Sequence, residues 1–195
     1  MIEWLLFKLI QSVFRRRPEE PSTAEGYAGR ALAWLNKGYY AKAIKDYDNA
    51  LRIDPNQSWI VNSRGFAWHL QGFYDRDRLA CEERALANYA EALRINPYDV
   101  SAMNNRAWLR ATTKIEECRD GKEALKEALK ACELSGWKVG GYLDTLSVAY
   151  AEIGEFEQAI HWQRKALEDP TYKKEDGRRA KVALKLFAKR RPFRE

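Results

Sequence analysis

The stretch that most constrains how this chain can fold is residues 140–170, GGYLDTLSVAYAEIGEFEQAIHWQRKALEDP. Its first half is amphipathic as an α-helix, because four residues fall at i, i+3, i+4 and i+7 and share one face: Leu143, Leu146, Ser147 and Tyr150. Gly154 ends this run, since glycine adopts positive φ at little cost. A second amphipathic run follows, with one side formed by Ala159, Ile160, Gln163, Ala166 and Leu167. The stretch predicts two antiparallel helices joined by a tight turn, a hairpin that cannot bury its apolar face alone.

The same pattern recurs earlier in the chain. Ser147, Gly154 and Ala159 are spaced 7 and 5 residues apart, and residues 24–57 repeat that spacing. The recurring positions are Tyr27, Ala31, Trp34, Gly38, Ala43, Tyr47, Ala50 and Pro55, and then Val61, Gly65, Trp68, Gly72, Ala85, Tyr89, Ala92 and Pro97. A third copy contains Met103, Ala107, Ala124, Ala128 and Ala131. Repetition of one supersecondary unit predicts a solenoid, in which each hairpin buries its apolar face against the next.

This order of small, aromatic, glycine, alanine, aromatic, alanine and proline positions resembles the tetratricopeptide repeat, a helix hairpin of about 34 residues. The resemblance spans residues 24–170, and RDGKEALKEALKACELSGW followed by YLDTLSVAYAEIGEFEQAIHWQRKALE is similar to a common bacterial subgroup of the family. It implies an all-α, right-handed superhelical solenoid that binds proteins. We expect four repeats, at 24–57, 58–99, 100–138 and 139–170, and a basic capping helix within 171–195.

Two of the repeats are longer than the pattern. Gly72 and Ala85 are 13 residues apart rather than 5, an eight-residue excess that lies within DRDRLACEER. This stretch contains no Gly or Pro, so we expect two extra turns on the following helix. Ala107 and Ala124 are 17 residues apart rather than 12, and we expect this excess, within TTKIEECRD, in the turn between the helices. Such insertions either select a partner or are tolerated length variation, because added loop residues cost little.

Composition indicates an ordered, helix-rich chain, with 46% hydrophobic and 32% charged residues. The cysteines Cys81, Cys118 and Cys132 are odd in number and have no C-x-x-C spacing, which argues against a disulfide scaffold or a zinc site and fits a reducing compartment. Charge is uneven: residues 171–195 contain ten Lys and Arg against three Asp and Glu, whereas the rest of the chain sums to −1. The repeats themselves are therefore close to neutral.

Residues 1–17, MIEWLLFKLIQSVFRRR, predict an amphipathic helix with a basic flank, followed by a linker at 18–23. A spanning helix needs roughly 20 apolar residues, and a secretory signal carries its positive charge before the apolar run, so neither description fits. Such a helix suits a membrane interface, with arginines beside anionic head groups. The residues expected to contact the membrane are Ile2, Leu5, Leu6, Leu9, Ile10, Val13, Phe14, Arg15, Arg16 and Arg17.

This interpretation places the protein in the cytoplasm, at the inner face of the cell membrane. Two alternatives remain open for the N-terminal helix. It could cover the exposed edge of the first repeat, because terminal repeats need such a cap. It could also fill the groove of a second chain and so form a homodimer.

Residues 171–195 predict a final helix from about Lys173 to Lys189 that caps the fourth repeat through Ala180, Ala183, Leu184 and Phe187. A basic stripe follows its outer side: Lys174, Arg178, Lys181, Lys185 and Lys189. The stripe either contacts phosphates of nucleic acid or lipid or is simply solvated. Because only Phe187 and Phe193 could stack on bases, nucleic acid is an unlikely partner.

No catalytic constellation is visible in the sequence. His69 and His161 have no Cys or carboxylate at metal-ligand spacing, and there is no Gly-rich phosphate loop or GxSxG motif. Cys118 follows two glutamates, which raise a thiol pKa and make it a poor nucleophile. We therefore expect no enzyme activity, cofactor or metal.

Binding is better supported, because the resemblance implies that the first helix of each hairpin lines a concave groove. Asn side chains there can bind the backbone of an extended peptide, and Trp and Phe offer area for anchor side chains, unless these aromatic residues pack between hairpins instead. The expected peptide-binding or helix-binding residues are Trp59, Asn62, Phe66, His69, Asn104, Asn105, Trp108 and Asp144. Capture of a chaperone C-terminus, which another branch of the family achieves with Lys, Asn and Arg, is unlikely because only Asn105 matches.

Overall fold

The computed structural model describes residues 20–195, and within that range every regular element is a helix. In chain order the α-helices are α1 Ala24–Asn36, α2 Tyr40–Ile53, α3 Ser58–Gly72, α4 Arg78–Ile95, α5 Val100–Thr112, α6 Gly121–Leu134, α7 Gly140–Glu152, α8 Phe156–Ala166 and α9 Pro170–Phe187. A short 3₁₀ helix, Glu116–Cys118, lies between α5 and α6. The helix predicted at 1–17 lies outside the described residues.

Consecutive helices pair as antiparallel hairpins, α1 with α2, α3 with α4, α5 with α6, and α7 with α8. The first helices of successive hairpins also contact one another, since α3 packs on α5, α5 on α7 and α7 on α9. The second helices that the structure describes make no comparably extensive contacts among themselves. The first helices therefore form the tighter, inner layer of a curved solenoid, which confirms the predicted all-α architecture.

Small residues allow the helices of each hairpin to approach closely. Ala31, Ala43, Ala107 and Ala159 are fully buried at the positions where the spacing pattern placed them. The turns follow the pattern as well, because Gly154 adopts a φ of 87° between α7 and α8, a conformation that side chains with a Cβ disfavour. The repeated small residues thus specify both the hairpin contact and its turn.

The structure shows that the insertion before Ala85 adds one helical turn, not the two that we predicted. The helix α2 begins three residues before Ala43, whereas α4 begins seven residues before Ala85. Its start is set by Asp77, whose carboxylate accepts a hydrogen bond from the Ala80 N–H at 3.1 Å and caps the helix. The remaining excess lies in the loop before α4. The second insertion lies between α5 and α6, as predicted.

The last helix begins at Pro170, three residues before the predicted start. Asp169 caps it by accepting hydrogen bonds from the N–H groups of Thr171 and Tyr172, and proline is favoured in a first helical turn. The helix packs on α7 and α8, with Ala180, Ala183 and Phe187 buried as expected and Leu184 partly buried. Its position over α7 decides how much of the inner surface remains open.

Candidate functional site

The inner surface is open along α1, α3 and the first part of α5. Three large apolar side chains are exposed there: Leu32 at 52%, Trp59 at 47% and Phe66 at 36%. Of the predicted groove residues, the structure places Trp59 and Phe66 in this region as surface residues, not as packing between hairpins. We call this region the open half of the groove.

A pair of asparagines forms the polar floor of the open half. The Asn105 side-chain amide donates to the Asn62 Oδ1 at 3.0 Å, which links α5 to α3. Asn62 is buried, whereas Asn105 and its neighbour Asn104 are partly exposed. The Asn104 Oδ1 is buried and has no hydrogen-bond partner among the residues described. These amides offer a donor and acceptors to a peptide backbone.

The inner surface near α7 is covered by the chain itself. Asp144, a predicted groove residue, is almost fully buried, and its two carboxylate oxygens are both engaged. Gln163 donates to one at 2.8 Å and Arg179, from α9, donates to the other at 2.8 Å. Burial raises the pKa of Asp144, an effect that the Arg179 charge opposes. Asp144 is therefore part of a buried polar network and is not available to a ligand.

Residues 191–195, which we call the tail segment, fold back over the inner surface after α9 ends. The reversal is made at Arg190, which has a φ of 53°, and the Arg191 N–H donates to the Leu186 carbonyl at 3.0 Å. The reversal directs the tail segment across α5, beside the predicted groove residues His69 and Trp108. We call this covered region the closed half of the groove.

Glu195 is the most extensively bound residue of the tail segment. Its carboxylate accepts a hydrogen bond from the Trp108 Nε1 at 2.8 Å, and its backbone N–H donates to the Thr112 carbonyl at 2.9 Å. The Arg78 guanidinium donates to the Glu195 carbonyl at 3.2 Å. Arg78 is itself held by the fully buried Glu82, at 2.6 Å. Groups from α4 and α5 thus bind both the backbone and the side chain of one residue.

His69 lies beside the same carboxylate but does not bind it. Its Nε2 is 3.7 Å from the Glu195 Oε2, too long for a hydrogen bond, and this buried nitrogen has no other partner among the described residues. Burial and the nearby Arg78 charge lower the pKa of His69 to about 4. At neutral pH His69 is uncharged, so the contact is not an ion pair.

The other side chains of the tail segment have complementary neighbours. The Arg194 guanidinium lies 2.5 Å from the Glu152 carboxylate at the end of α7 and donates to the Ala111 carbonyl at 3.2 Å. The Phe193 ring lies 6.1 Å from the Trp108 ring, tilted by 51°. An aromatic, a basic and an acidic residue therefore each contact a group of matching chemistry.

Sequence reasoning did not assign any of the tail segment to the groove, and it missed Arg78, Thr112 and Glu152 as its partners. Two signals were present. Pro192 rules out a continuous helix through the tail, and Glu195 is a lone acid after a run of cations. Neither signal identifies the surface that the segment contacts.

No group of three or more His, Cys, Asp or Glu in residues 20–195 could hold a metal ion. All three cysteines are buried, and burial raises the pKa of the Cys118 thiol to about 11 and that of Cys132 to about 12, which disfavours the reactive thiolate. The five residues of the basic stripe of α9 are all exposed. Within residues 20–195 no helix is long and apolar enough to cross a membrane.

Comparison with known proteins supports the repeat assignment. Models of the tetratricopeptide repeat match residues 24–57 and 141–168. The small glutamine-rich tetratricopeptide repeat-containing protein 2 of Saccharomyces cerevisiae is 27% identical over 137 residues, which are 69% of this chain and 37% of that relative. The chain thus spans little more than a third of the length of its curated relative.

Two solved structures resemble the fold over most of its length. A thermophilic TPR protein of Thermus thermophilus has a TM-score of 0.70 and 19% identity, covering 92% of this chain and 89% of that one. MamA of Desulfovibrio magneticus RS-1, from its residue 41 to the end, has a TM-score of 0.60 and 18% identity, covering 86% and 90%. At these identities the similarity is one of fold, a right-handed helical-repeat solenoid.

Proposed function

We propose that this chain, in which tetratricopeptide repeats are matched at 24–57 and 141–168, is a non-catalytic scaffold that binds a peptide or helix of a partner protein in the open half of its groove. The observation that carries this proposal is the exposure of Trp59, Phe66 and Leu32 around the Asn62–Asn105 amide pair. Exposed large apolar groups beside a few polar ones are typical of protein-binding surfaces.

The expected mode of binding follows from these groups. Trp59 and Phe66 supply area for apolar anchor side chains, and the asparagine amides supply hydrogen bonds to the ligand backbone. A ligand that forms hydrogen bonds with these amides should bind more tightly than one that only covers the apolar side chains, because a polar atom buried without a partner is costly.

A peptide-display selection on the immobilised full chain tests this proposal. We expect the double variant Asn62→Ala with Asn105→Ala, and the single variant Phe66→Ala, each to bind the selected peptide at least tenfold more weakly. A tenfold loss corresponds to about 1.4 kcal/mol, within the range for a central anchor residue. The control is Ile53→Ala, an exposed apolar residue at the end of α2, which should leave the affinity unchanged. Equal losses in all three variants would contradict a binding site in the open half.

We also propose that residues 1–17 attach the scaffold peripherally to the cytoplasmic face of the cell membrane. Support comes from the amphipathic pattern and the three consecutive arginines Arg15, Arg16 and Arg17. Attachment at the membrane would raise the effective concentration of the groove near bilayer-bound partners.

Liposome co-sedimentation of the full chain tests the attachment. We expect binding to anionic vesicles that falls strongly when the three arginines are replaced by glutamate, because each basic residue near such a surface contributes about 1 kcal/mol. The matched control replaces the exposed Lys181, Lys185 and Lys189 by glutamate, which changes the net charge equally at the other end of the chain. If the unmodified full chain does not sediment, the N-terminal segment is a cap or a dimer element. Light scattering separates these two, because a cap leaves the molar mass of a monomer and a dimer element doubles it.

A further inference from the structure

We propose that the closed half of the groove is a second peptide-binding site, occupied in the isolated chain by its own tail segment. When the tail segment is released, the closed half binds a segment of a partner protein. That segment has an aromatic, a basic and an acidic residue in succession, as Phe193, Arg194 and Glu195 do. This inference rests on the proposed scaffold function and adds the ligand class of one half of the groove. Its residues are distinct from those that the display experiment tests.

The tail segment is bound as a ligand is, by side chains and carbonyls from separate helices. Trp108 and Arg78 hold Glu195, and the end of α7 holds Arg194 through Glu152. The partners come from α4, α5 and α7, so the segment bridges successive hairpins of the solenoid. Each contact recognises a different group of the bound segment: Trp108 the acidic carboxylate, Arg78 a backbone carbonyl and Glu152 a cation.

The end of α5 presents carbonyl acceptors that its own helix does not use. The last carbonyls of a helix have no intrahelical partner and must be satisfied from outside. The Arg194 side chain binds the Ala111 carbonyl, and the Glu195 N–H binds the Thr112 carbonyl. Any extended segment with a backbone N–H at that position could make the Thr112 contact, whereas the side-chain contacts select the sequence.

The docked tail segment leaves two buried polar groups of the chain without hydrogen-bond partners among the described residues. The His69 Nε2 and the Tyr89 hydroxyl are both buried in this region and have no hydrogen-bond partner in the described chain. Arg190 adopts the left-handed backbone conformation that non-glycine residues avoid, so docking of the tail carries a conformational cost. Release of residues 191–195 breaks no helix. A partner segment that reached His69 or Tyr89 would therefore compete effectively.

The test compares peptide binding by the full chain and by an opened variant, Phe193→Ala with Glu195→Ala. The probe is a fluorescein-labelled, C-terminally amidated peptide, AKRRPFRE, which reproduces residues 188–195. The opened variant should bind it at least tenfold more tightly than the unmodified chain, because a tethered segment competes at a millimolar effective concentration. Adding Trp108→Ala to the opened variant should return the affinity to that of the unmodified chain. A scrambled peptide of the same composition, EKRAPRRF, controls for charge.

Equal affinity of the folded opened variant and the unmodified chain would overturn the proposal and leave the tail segment as a structural cap. If the opened variant fails to fold, nuclear magnetic resonance of the unmodified chain decides the question. The Trp108 indole N–H signal should shift saturably with millimolar AKRRPFRE and not with EKRAPRRF, and an unchanged signal would overturn the proposal. The proposal would also be overturned if the unmodified chain had twice the monomer mass in solution and the opened variant had the monomer mass. The tail segment would then occupy the groove of a second copy of the chain.

Discussion

Replacement of Gly140 by alanine should lower the free energy of unfolding by about 3 kcal/mol, because overpacking at a rigid contact is costly. An added Cβ would lie 2.6 Å from the Tyr172 Cβ, 2.8 Å from the Asp169 Cβ and 2.9 Å from the Ala166 carbonyl oxygen. Each of these neighbours is a backbone atom or the first atom of a side chain, so none of them can rotate away. The change should therefore push α9 away from α7. Urea denaturation measures the loss.

Gly141 provides a matched control for that substitution. It is the next residue of the same helix, and a Cβ there would meet no atom within 4 Å. Gly141→Ala should be neutral or stabilising by up to about 1 kcal/mol, since alanine is the better helix former. Similar losses for both variants would show that α9 does not pack on α7 in the way described.

Removal of the Asp144 carboxylate should destabilise the fold by about 3 kcal/mol, since it breaks a buried charge pair and leaves the Gln163 amide without its buried acceptor. In Asp144→Ala, Gln163 would lose an acceptor and Arg179 would keep only its exposed partner, Asp176. Tyr172 also belongs to this network, because the Gln163 amide lies 3.0 Å from its hydroxyl. The network joins α7, α8 and α9, and its loss should lower the midpoint of urea unfolding.

Asp176→Ala is the control for the same arginine. Asp176 contacts Arg179 at 3.2 Å, but its side chain is 39% exposed, whereas that of Asp144 is 2% exposed. An exposed ion pair contributes about 0–1 kcal/mol, so this variant should unfold almost as the unmodified chain does. If the two variants lose the same stability, the buried network is not what holds α9 in place.

The sequence allowed prediction of the hairpins because their determinants are local. Alanine and glycine at fixed spacing, such as Ala31 and Gly38, decide how closely two adjacent helices approach and where the chain turns. The same logic failed where a capping side chain set a helix boundary. Asp77 and Asp169 fix the starts of α4 and α9. Periodicity alone placed the start of α4 about one turn too early and that of α9 about one turn too late.

The candidate site was only partly predictable, because it depends on contacts between distant parts of the chain. Repeat positions identified Trp59, Phe66 and Trp108 as residues of the inner layer. They could not show that α9 and the tail segment cover the surface around Asp144. Glu195 meets Trp108 and Arg78 across long sequence separations, with no periodic pattern to indicate the contact.

The central claim is that the inner layer of the solenoid carries the binding surface. Hydrogen–deuterium exchange of the full chain, with and without the peptide selected by display, tests it most directly. Bound peptide should slow exchange in α3 and α5, Ser58–Gly72 and Val100–Thr112, and leave the outer helices α2 and α6 unchanged. Protection confined to α2, α4 and α6, with none in α3 or α5, would contradict the account.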